Sequence, residues 1–460
     1  MKHKNSRLFS ICLMTCTLLA FGCKGNSSLS ISSSLESFSS TELTYKDKAD
    51  IDKELLGCFN YFNDCPNLTE GSAGYGLTQD RLSRRGLASI AATGFSLACY
   101  PSFVEMNYIT KAEGEKRTLN TYNTILRLQN DSTQSYGGCL YHFMDKNSGV
   151  HTDCEISTID TAILLGGVIA GMEYFTDNSS IRAKGNEIWS NVDYTLFKHK
   201  TQGTGQLISM GCDSSHNLLS DWDMTAEQLM MYVFGAGNPN ASHQLDKTSY
   251  DAFKKPYSTY DDYKVFYSWN GSIFTYQFSH AFIDFSKYKD ANGLNWWQNS
   301  VNASLASRQF SIDYQDEVKS YSEYAWGLTA CDTPLGYSGA LGALPRGGGK
   351  TDNYAEIEGT IAPCGALGSI VFTPDYSLSS LGYYQSLKNL NDSTYGLMDS
   401  YCLDFGGTTD WYCDDAIGID KGITAMMLYS YKNPMFNQNL VMKNTNILSG
   451  LNTLGFTETK

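Results

Sequence analysis

Carboxylates recur where apolar runs begin. Glu155 and Asp160 stand at the threshold of EISTIDTAILLGGVIAGMEYF (155–175), a stretch otherwise made mostly of apolar or small residues. Asp221, Asp223 and Glu227 open DWDMTAEQLMMYVF, Glu358 precedes GTIAPCGALGSIVF, and Asp420 opens the apolar run after DDAIG. One acid near a helix start gains ~0.3–1 kcal/mol from the helix dipole and needs no further explanation. Ser157 followed by Asp160 is also a capping-box spacing, in which side chains satisfy free backbone N–H groups. Several such acids on one face are a different matter. Two carboxyls flanking a cleft can protonate a leaving oxygen and activate water, the minimum for hydrolysing a glycosidic bond. Glu155, Glu227 and Asp420 are the candidates this pattern supplies.

Aromatic residues strengthen that chemistry. The chain holds 31 Tyr, 22 Phe and 7 Trp, and flat rings with a polar edge suit the C–H faces of sugars. Tyr141-His142-Phe143, Trp222, Trp269, Trp326 and Tyr337 lie beside polar residues near expected helix ends; most other rings are core. Other chemistries fail on spacing. GGGKT (347–351) would need glycine at Leu344 to complete a phosphate loop, and there is no GxSxG elbow. His151, Asp153, Cys154 and Glu155 lack any metal-site spacing, so no metal is expected.

The elements that must carry these residues are helical, of two kinds. Runs 87–99, 159–172, 229–234, 361–372 and 419–429 are apolar nearly all round, whereas 112–129, 181–196, 296–310 and 436–451 are amphipathic. A helix apolar on every side is buried and an amphipathic one lies at the surface. Their alternation predicts an all-α fold, an (α/α)6 barrel with an inner and an outer ring of helices, and scarce strand. Inner-helix starts then open onto one common face.

With 34 Lys+Arg against 48 Asp+Glu, the net charge of -14 excludes nucleic acid as a partner, since that binding needs cations to neutralise phosphate. It disfavours polyanions and suits a neutral polysaccharide or oligosaccharide. Lys2, Lys4 and Arg7 precede an apolar run to Phe21, which reads as a signal peptide over residues 1–22. Gly22-Cys23 then resembles a lipobox, with Cys23 lipidated, an exported chain, and membrane contact only through that anchor. Residues 23–48 read as a Ser-rich tether and 49–460 as a single domain. Ten of the 13 cysteines lie beyond Cys23, so disulfides are plausible; Cys58/Cys65 and Cys402/Cys413 are the nearest pairs.

Taken together, DRLSRRGLASIAATGFSL (80–97), YHFMDKNSG (141–149), EISTIDTAILLGGVIAGMEYF (155–175), YQFSHAFIDF (276–285), YSEYAWGLTACDTPLGY (321–337), EGTIAPCGALGSIVFTPD (358–375) and IGIDKG (417–422) resemble the bacterial glycoamylase-like family and its endo-β-1,2-glucanase branch. The resemblance spans roughly residues 50 to 456. It implies hydrolysis of a β-linked glucan without a cofactor, with Glu227 as general acid, Asp420 as base candidate and Glu155 as an essential acid. His142, Asp160, Gln277, His280, Trp326, Asp332 and Glu358 would line the sugar channel. The chain departs from the family pattern at Tyr276, which replaces a histidine, at Thr225, which replaces a tyrosine, in YGLMDSYCLD (395–404), and in the insertion RGGGKTDNYA (346–355) before Glu358. The alternative is a non-catalytic glycan-binding lipoprotein on the same barrel. A polysaccharide lyase would want a basic pocket for a uronic acid, which the charge disfavours.

Overall fold

The computed structural model describes residues 43–347 and 358–459, so Cys23, the leader, most of the expected tether and most of the 346–355 insertion lie outside the described residues. The helices in chain order are α1 (Tyr45–Asp64), α2 (Ile90–Glu105), α3 (Lys111–Gln129), α4 (Thr158–Tyr174), α5 (Ser179–Asn191), α6 (Leu229–Ala236) and α7 (Lys247–Ala252). They continue with α8 (Phe278–Phe282), α9 (Trp296–Asp313), α10 (Pro363–Leu367), α11 (Pro374–Ser386), α12 (Gly418–Lys432), α13 (Phe436–Val441) and α14 (Thr445–Thr453). The first begins four residues inside the stretch read as tether, because Thr44 and Asp47 form a reciprocal capping box that starts the helix there.

Burial alternates along the chain. Every residue of α6, α8 and α10 is buried, as are all but the ends of α2, α4 and α12, while α3, α5 and α11 leave one face to solvent. Among the buried helices, α2 packs on α4 and α12, α4 on α6, α6 on α8, and α10 on α12. The α2–α4 contact is the most intimate. A Cβ on Gly94 would lie 2.6 Å from the backbone of Ile163, and one on Gly167 would lie 2.1 Å from the Gly94 carbonyl oxygen. Glycine at both positions lets two backbones touch where any side chain would hold them apart.

Three expectations are corrected in detail. The run 361–372 is strand at Thr360–Ile361 followed by the short α10, whose helix starts at Pro363 because proline suits the first turn. The run 436–451 breaks into α13 and α14. Strand is less scarce than the missing alternation suggests, but among the described residues it comes as strands two to five residues long, in pairs and one three-stranded sheet. Three of these sheets lie where buried helices begin. Leu87–Ser89, on Phe143–Asp145, leads into α2; Ile156–Ser157, on Gly211–Cys212, leads into α4; Thr360–Ile361, on Tyr401–Cys402, precedes α10. An isolated bridge between Arg81 and Ile417 does the same for α12. All ten described cysteines are free thiols, so neither nearby pair forms a bridge.

Beneath α12 lies a buried ion pair. Lys421 Nζ donates to Glu54 Oε1 at 2.9 Å and to the carbonyls of Tyr395 and Leu397 at 2.6 Å each, while the Leu397 N–H donates to Glu54 Oε2 at 2.9 Å. Burial works against the Lys421 charge, and Glu54 more than offsets it, so the ammonium is retained. The pair ties α1, α12 and the 395–397 turn together. Lys421→Met leaves the Glu54 carboxylate buried without its cation. It should cost ~3–5 kcal/mol in urea unfolding, with part recovered in the Glu54→Gln/Lys421→Met double variant.

Candidate active site

Two carboxylate clusters sit where the buried helices start. The first centres on His142. Its N–H donates to the Glu155 carbonyl at 2.9 Å and its own carbonyl accepts from Ile90 N at 3.1 Å, so the residue joins the starts of α2 and α4. The ring stacks on Phe143 with centroids 3.8 Å apart. Its Nδ1 is 2.9 Å from Glu155 Oε1 and its Nε2 is 3.5 Å from Asp160 Oδ1. Burial opposes a charge on the imidazole, but Asp160, Glu155 and Asp80 together outweigh it and raise the pKa to about 9. The imidazolium in turn holds the Glu155 carboxyl below its ordinary value. Ser157 caps α4, its Oγ accepting from Asp160 N at 3.2 Å, and the same hydroxyl donates to Asp160 Oδ2. The other Asp160 oxygen faces His142, so the carboxylate braces the cap residue and serves the cluster.

Glu227 occupies the turn before α6, and a neighbouring helix holds its backbone. Ser279 Oγ on α8 donates to the Glu227 carbonyl at 2.6 Å and accepts from Met230 N at 3.0 Å. It does so because the residue at the α6 N-cap, Gln228, makes no side-chain cap. Burial pushes the Glu227 carboxyl up to about 7; a backbone N–H pulls the other way and the charge of Asp160 adds to the rise. Glutamates 155 and 227 are therefore driven apart, one kept ionised by an imidazolium and one kept protonated by burial beside an anion. Asp221, from the same sequence run, is bound instead to His199 Nδ1 at 2.7 Å and Lys200 Nζ at 3.3 Å.

The second cluster is built around Arg81, which the carboxylate pattern alone did not single out. Its Nη1 reaches both oxygens of Asp332 at 3.0 and 2.9 Å, its Nε reaches Asp80 at 3.2 Å, and Asp415 lies 3.7 Å away. The Asp332 N–H donates to Asp399 Oδ2 at 2.8 Å. Asp399 in turn pairs with Asp420 through a carboxyl–carboxyl hydrogen bond. Cys364 Sγ, on α10, donates to Asp420 Oδ1 at 3.2 Å. Both acids are buried, and burial raises the pKa of each. Two carboxyls in such contact cannot both ionise readily, so one proton is shared between them. Below them is a cavity of about 20 Å³, room for roughly one water, which Glu54 and Lys421 also line. Asp80, bound to Arg81, also acts on His142, so the two clusters are neighbours.

The remaining expected residues are placed as follows. Asp332 is in the second cluster. Glu358 accepts from Thr360 N at 3.0 Å ahead of α10. Gln277 is buried and donates to the Gly365 carbonyl at 2.7 Å and Ser369 Oγ at 2.8 Å, which fastens α8 to α10. His280 is buried among Phe285, Trp297 and Phe372, with Nε2 2.9 Å from Ser300 Oγ, and burial lowers its pKa to about 3. Trp326 is fully buried, its backbone paired with the Tyr384 hydroxyl. Gln277, His280 and Trp326 thus sit in packing rather than with the acids. Tyr276, the departure from the family pattern, is buried too and accepts from Ser268 N at 2.8 Å. Metal-ligating atoms of Asp332, Asp399 and Cys413 lie within 4.8 Å of one another, but both oxygens of Asp332 are already on Arg81, a cation in place. His151, from the quartet weighed above, stacks on Tyr141 with centroids 3.8 Å apart.

Residues 219–445, which include Glu227, Asp332, Asp399 and Asp420, match the family model described as "Putative glucoamylase". This region belongs to the glycoamylase-like family. Around the glycoamylase-like region, the chain is 23% identical over 412 residues to the exo β-1,2-glucooligosaccharide sophorohydrolase (non-reducing end) of Parabacteroides distasonis; the match takes in 82% of this chain and 54% of that protein. The chain thus spans about half the length of this curated relative. Among solved structures, an endo-β-1,2-glucanase from Chitinophaga pinensis, in complex with sophorotriose and glucose, superposes with a TM-score of 0.76 at 20% identity, over 90% of this chain and 99% of the other. An endo-β-1,2-glucanase from Talaromyces funiculosus bound to β-1,2-glucan gives a TM-score of 0.62 at 14% identity, over 88% and 89% of the two chains. At these identities the likeness to the solved structures establishes the fold alone.

The His142 arrangement has a direct spectroscopic signature. Its folded pKa is raised, so the ring should remain an imidazolium through neutrality, and the stability it contributes is full below the ordinary histidine pKa and is lost progressively as pH rises from there through about 9. In NMR spectra its ring resonances should be flat between pH ~6 and ~8, where an ordinary histidine titrates. Glu155→Gln should move the midpoint down.

Proposed function

We propose that this chain is an exported glycoside hydrolase that cuts a neutral β-glucan, with β-1,2-linked glucan the first candidate. We read the six buried helices α2, α4, α6, α8, α10 and α12 as the inner ring of an (α/α)6 barrel, with the carboxyl clusters at its open end. The observation that carries the reading is the contrast between Glu227, held protonated up to about 7, and the ionised carboxylates of its neighbourhood. A protonated acid beside ionised ones is what general acid catalysis of glycoside cleavage requires. Relatives whose names state β-1,2-glucan hydrolysis support the substrate class.

In this mechanism Glu227 gives its proton to the leaving glycosidic oxygen. Asp420 takes a proton from the attacking water, while Asp399 keeps the proton the two share and so leaves Asp420 its charge. Arg81 fixes Asp332, whose backbone N–H orients Asp399. Glu155 and Asp160, with His142 between them, supply negative charge where positive charge develops on the sugar ring. Export, and attachment through a lipidated Cys23, follow from the basic start, the short apolar run and Gly22-Cys23.

The test uses the chain from Asn26 on a panel of neutral glucans that includes linear β-1,2-glucan, with products read by chromatography. Short oligosaccharides from one linkage are expected, and Glu227→Gln should lower turnover by ~10²–10⁴-fold while leaving the fold intact. Near-normal turnover in that variant would remove Glu227 from the acid role. Binding without cleavage would identify a glycan-binding protein on the same scaffold. The pH profile has a defined sign: a raised carboxyl pKa means the working, protonated form is lost on the alkaline side. Activity should therefore fall as pH rises through about 7.

A further inference from the structure

The aromatic residues that could meet a sugar are sorted by the structure. Tyr141, Trp222 and Trp326 are buried, and the Trp222 indole N–H is spent on Thr158 Oγ1 at 3.1 Å. Trp269 and Tyr337 remain open, 61% and 51% exposed. Of these two, Tyr337 is the one that touches the acid clusters.

Its position is set by a short hairpin in which Cys331–Thr333 pairs with Gly336–Ser338. Asp332 is directly opposite Tyr337 in that register, so both side chains leave the same face of the ribbon. Asp332 is clamped by Arg81, and the Arg81 guanidinium carbon also lies 5.6 Å over the centre of the Tyr337 ring. The hairpin itself is braced. Asp332 N–H donates to Asp399, Ser400 Oγ donates to the Asp332 carbonyl at 2.5 Å, and Thr333 Oγ1 closes the turn by donating to the Gly336 carbonyl at 2.8 Å. Desolvation and the charges of Asp420, Asp399 and Asp80 all raise the pKa of the Tyr337 phenol, as nearness to the acids of the second cluster would.

We propose that Tyr337 is the platform on which a glucosyl ring stacks as the chain enters the second carboxylate cluster, a substrate-positioning residue that rests on the glycoside hydrolase reading above. One ring face is backed by a guanidinium that three carboxylates hold still, and the open part of the ring carries no other task. A rigid, half-exposed ring adjoining an acid pair offers the C–H face of a neutral pyranose an apolar contact at little ordering cost. An anionic ligand would meet Asp332, Asp399 and Asp420 at the same spot, so the platform selects uncharged sugar.

The test measures affinity and turnover separately, on linear β-1,2-glucan and its oligosaccharides. In the Glu227→Gln background, titration calorimetry with a β-1,2-gluco-oligosaccharide should show Tyr337→Ala binding roughly tenfold more weakly, with Tyr337→Phe close to the parent because the ring is kept. With Glu227 present, Tyr337→Ala should raise KM by a similar factor and change kcat less. Leu335→Ala, at the hairpin tip and 82% exposed, serves as the control and should leave both constants unchanged. Unaltered affinity in Tyr337→Ala, in a protein that otherwise cleaves the glucan, overturns the platform alone. So does a Tyr337→Phe variant as weak as Tyr337→Ala, which would shift the role to the hydroxyl. A parent protein that neither cleaves nor binds any neutral glucan overturns the hydrolase reading and the platform with it.

Discussion

One guanidinium makes the acidic end of this fold possible. Asp80, Asp332 and Asp415 converge on Arg81, and the pair Asp399–Asp420 lies directly behind. Five carboxyls brought so close would repel strongly at the low effective dielectric of a protein interior. Two devices relieve the repulsion. Arg81 offsets part of the charge of the outer three, and the inner two hold a proton in common. The same guanidinium braces the hairpin that presents Tyr337, so charge compensation and the shape of the site's rim have one origin. His142 plays the corresponding part for Glu155 and Asp160.

Environment, not residue type, separates the roles of the carboxyls. Glu155 and Glu227 share a side chain and a place near the start of a buried helix. Glu155 faces an imidazolium and is held ionised, whereas Glu227 has no cation against it and keeps its proton. The thiol of Cys364 and the hydroxyl of Ser157 add neutral donors to Asp420 and Asp160. The result is one carboxyl kept protonated beside another kept ionised.

Much of the frame was legible in the chain. The apolar run after Ser157 is a helix, and its cap and its acid are where the spacing put them, because a capping motif is a local interaction between residues three apart. Glu155, Glu227 and Asp420 do stand at buried-helix starts. Arg81 and Asp399 were harder to read: 251 positions separate Arg81 from Asp332, and nothing in a local window says which carboxylate an arginine will meet. Both residues lay inside segments noted for other reasons, DRLSRRG and YGLMDSYCLD, so the signal was present without its partner. Gln277, His280 and Trp326 show the converse. They are chemically capable side chains taken up by packing, Gln277 and His280 bonded to neighbouring elements and Trp326 held through its backbone, and burial, which decides that, is a property of the assembled fold.

The five-residue helix α8 carries a consequence for anyone who would rebuild this protein. Through Ser279 it finishes the start of α6 and holds the carbonyl of Glu227, and through Gln277 it is fastened to α10. The turn that bears Glu227 is therefore not a portable module. A transplant or redesign of the loop before α6 carries over the acid but not the rivet, which lies some fifty residues later in the chain and at a different joint of the scaffold. Inheritance faces the same restriction: a change at Ser279 in the YQFSH segment reaches the turn that bears Glu227.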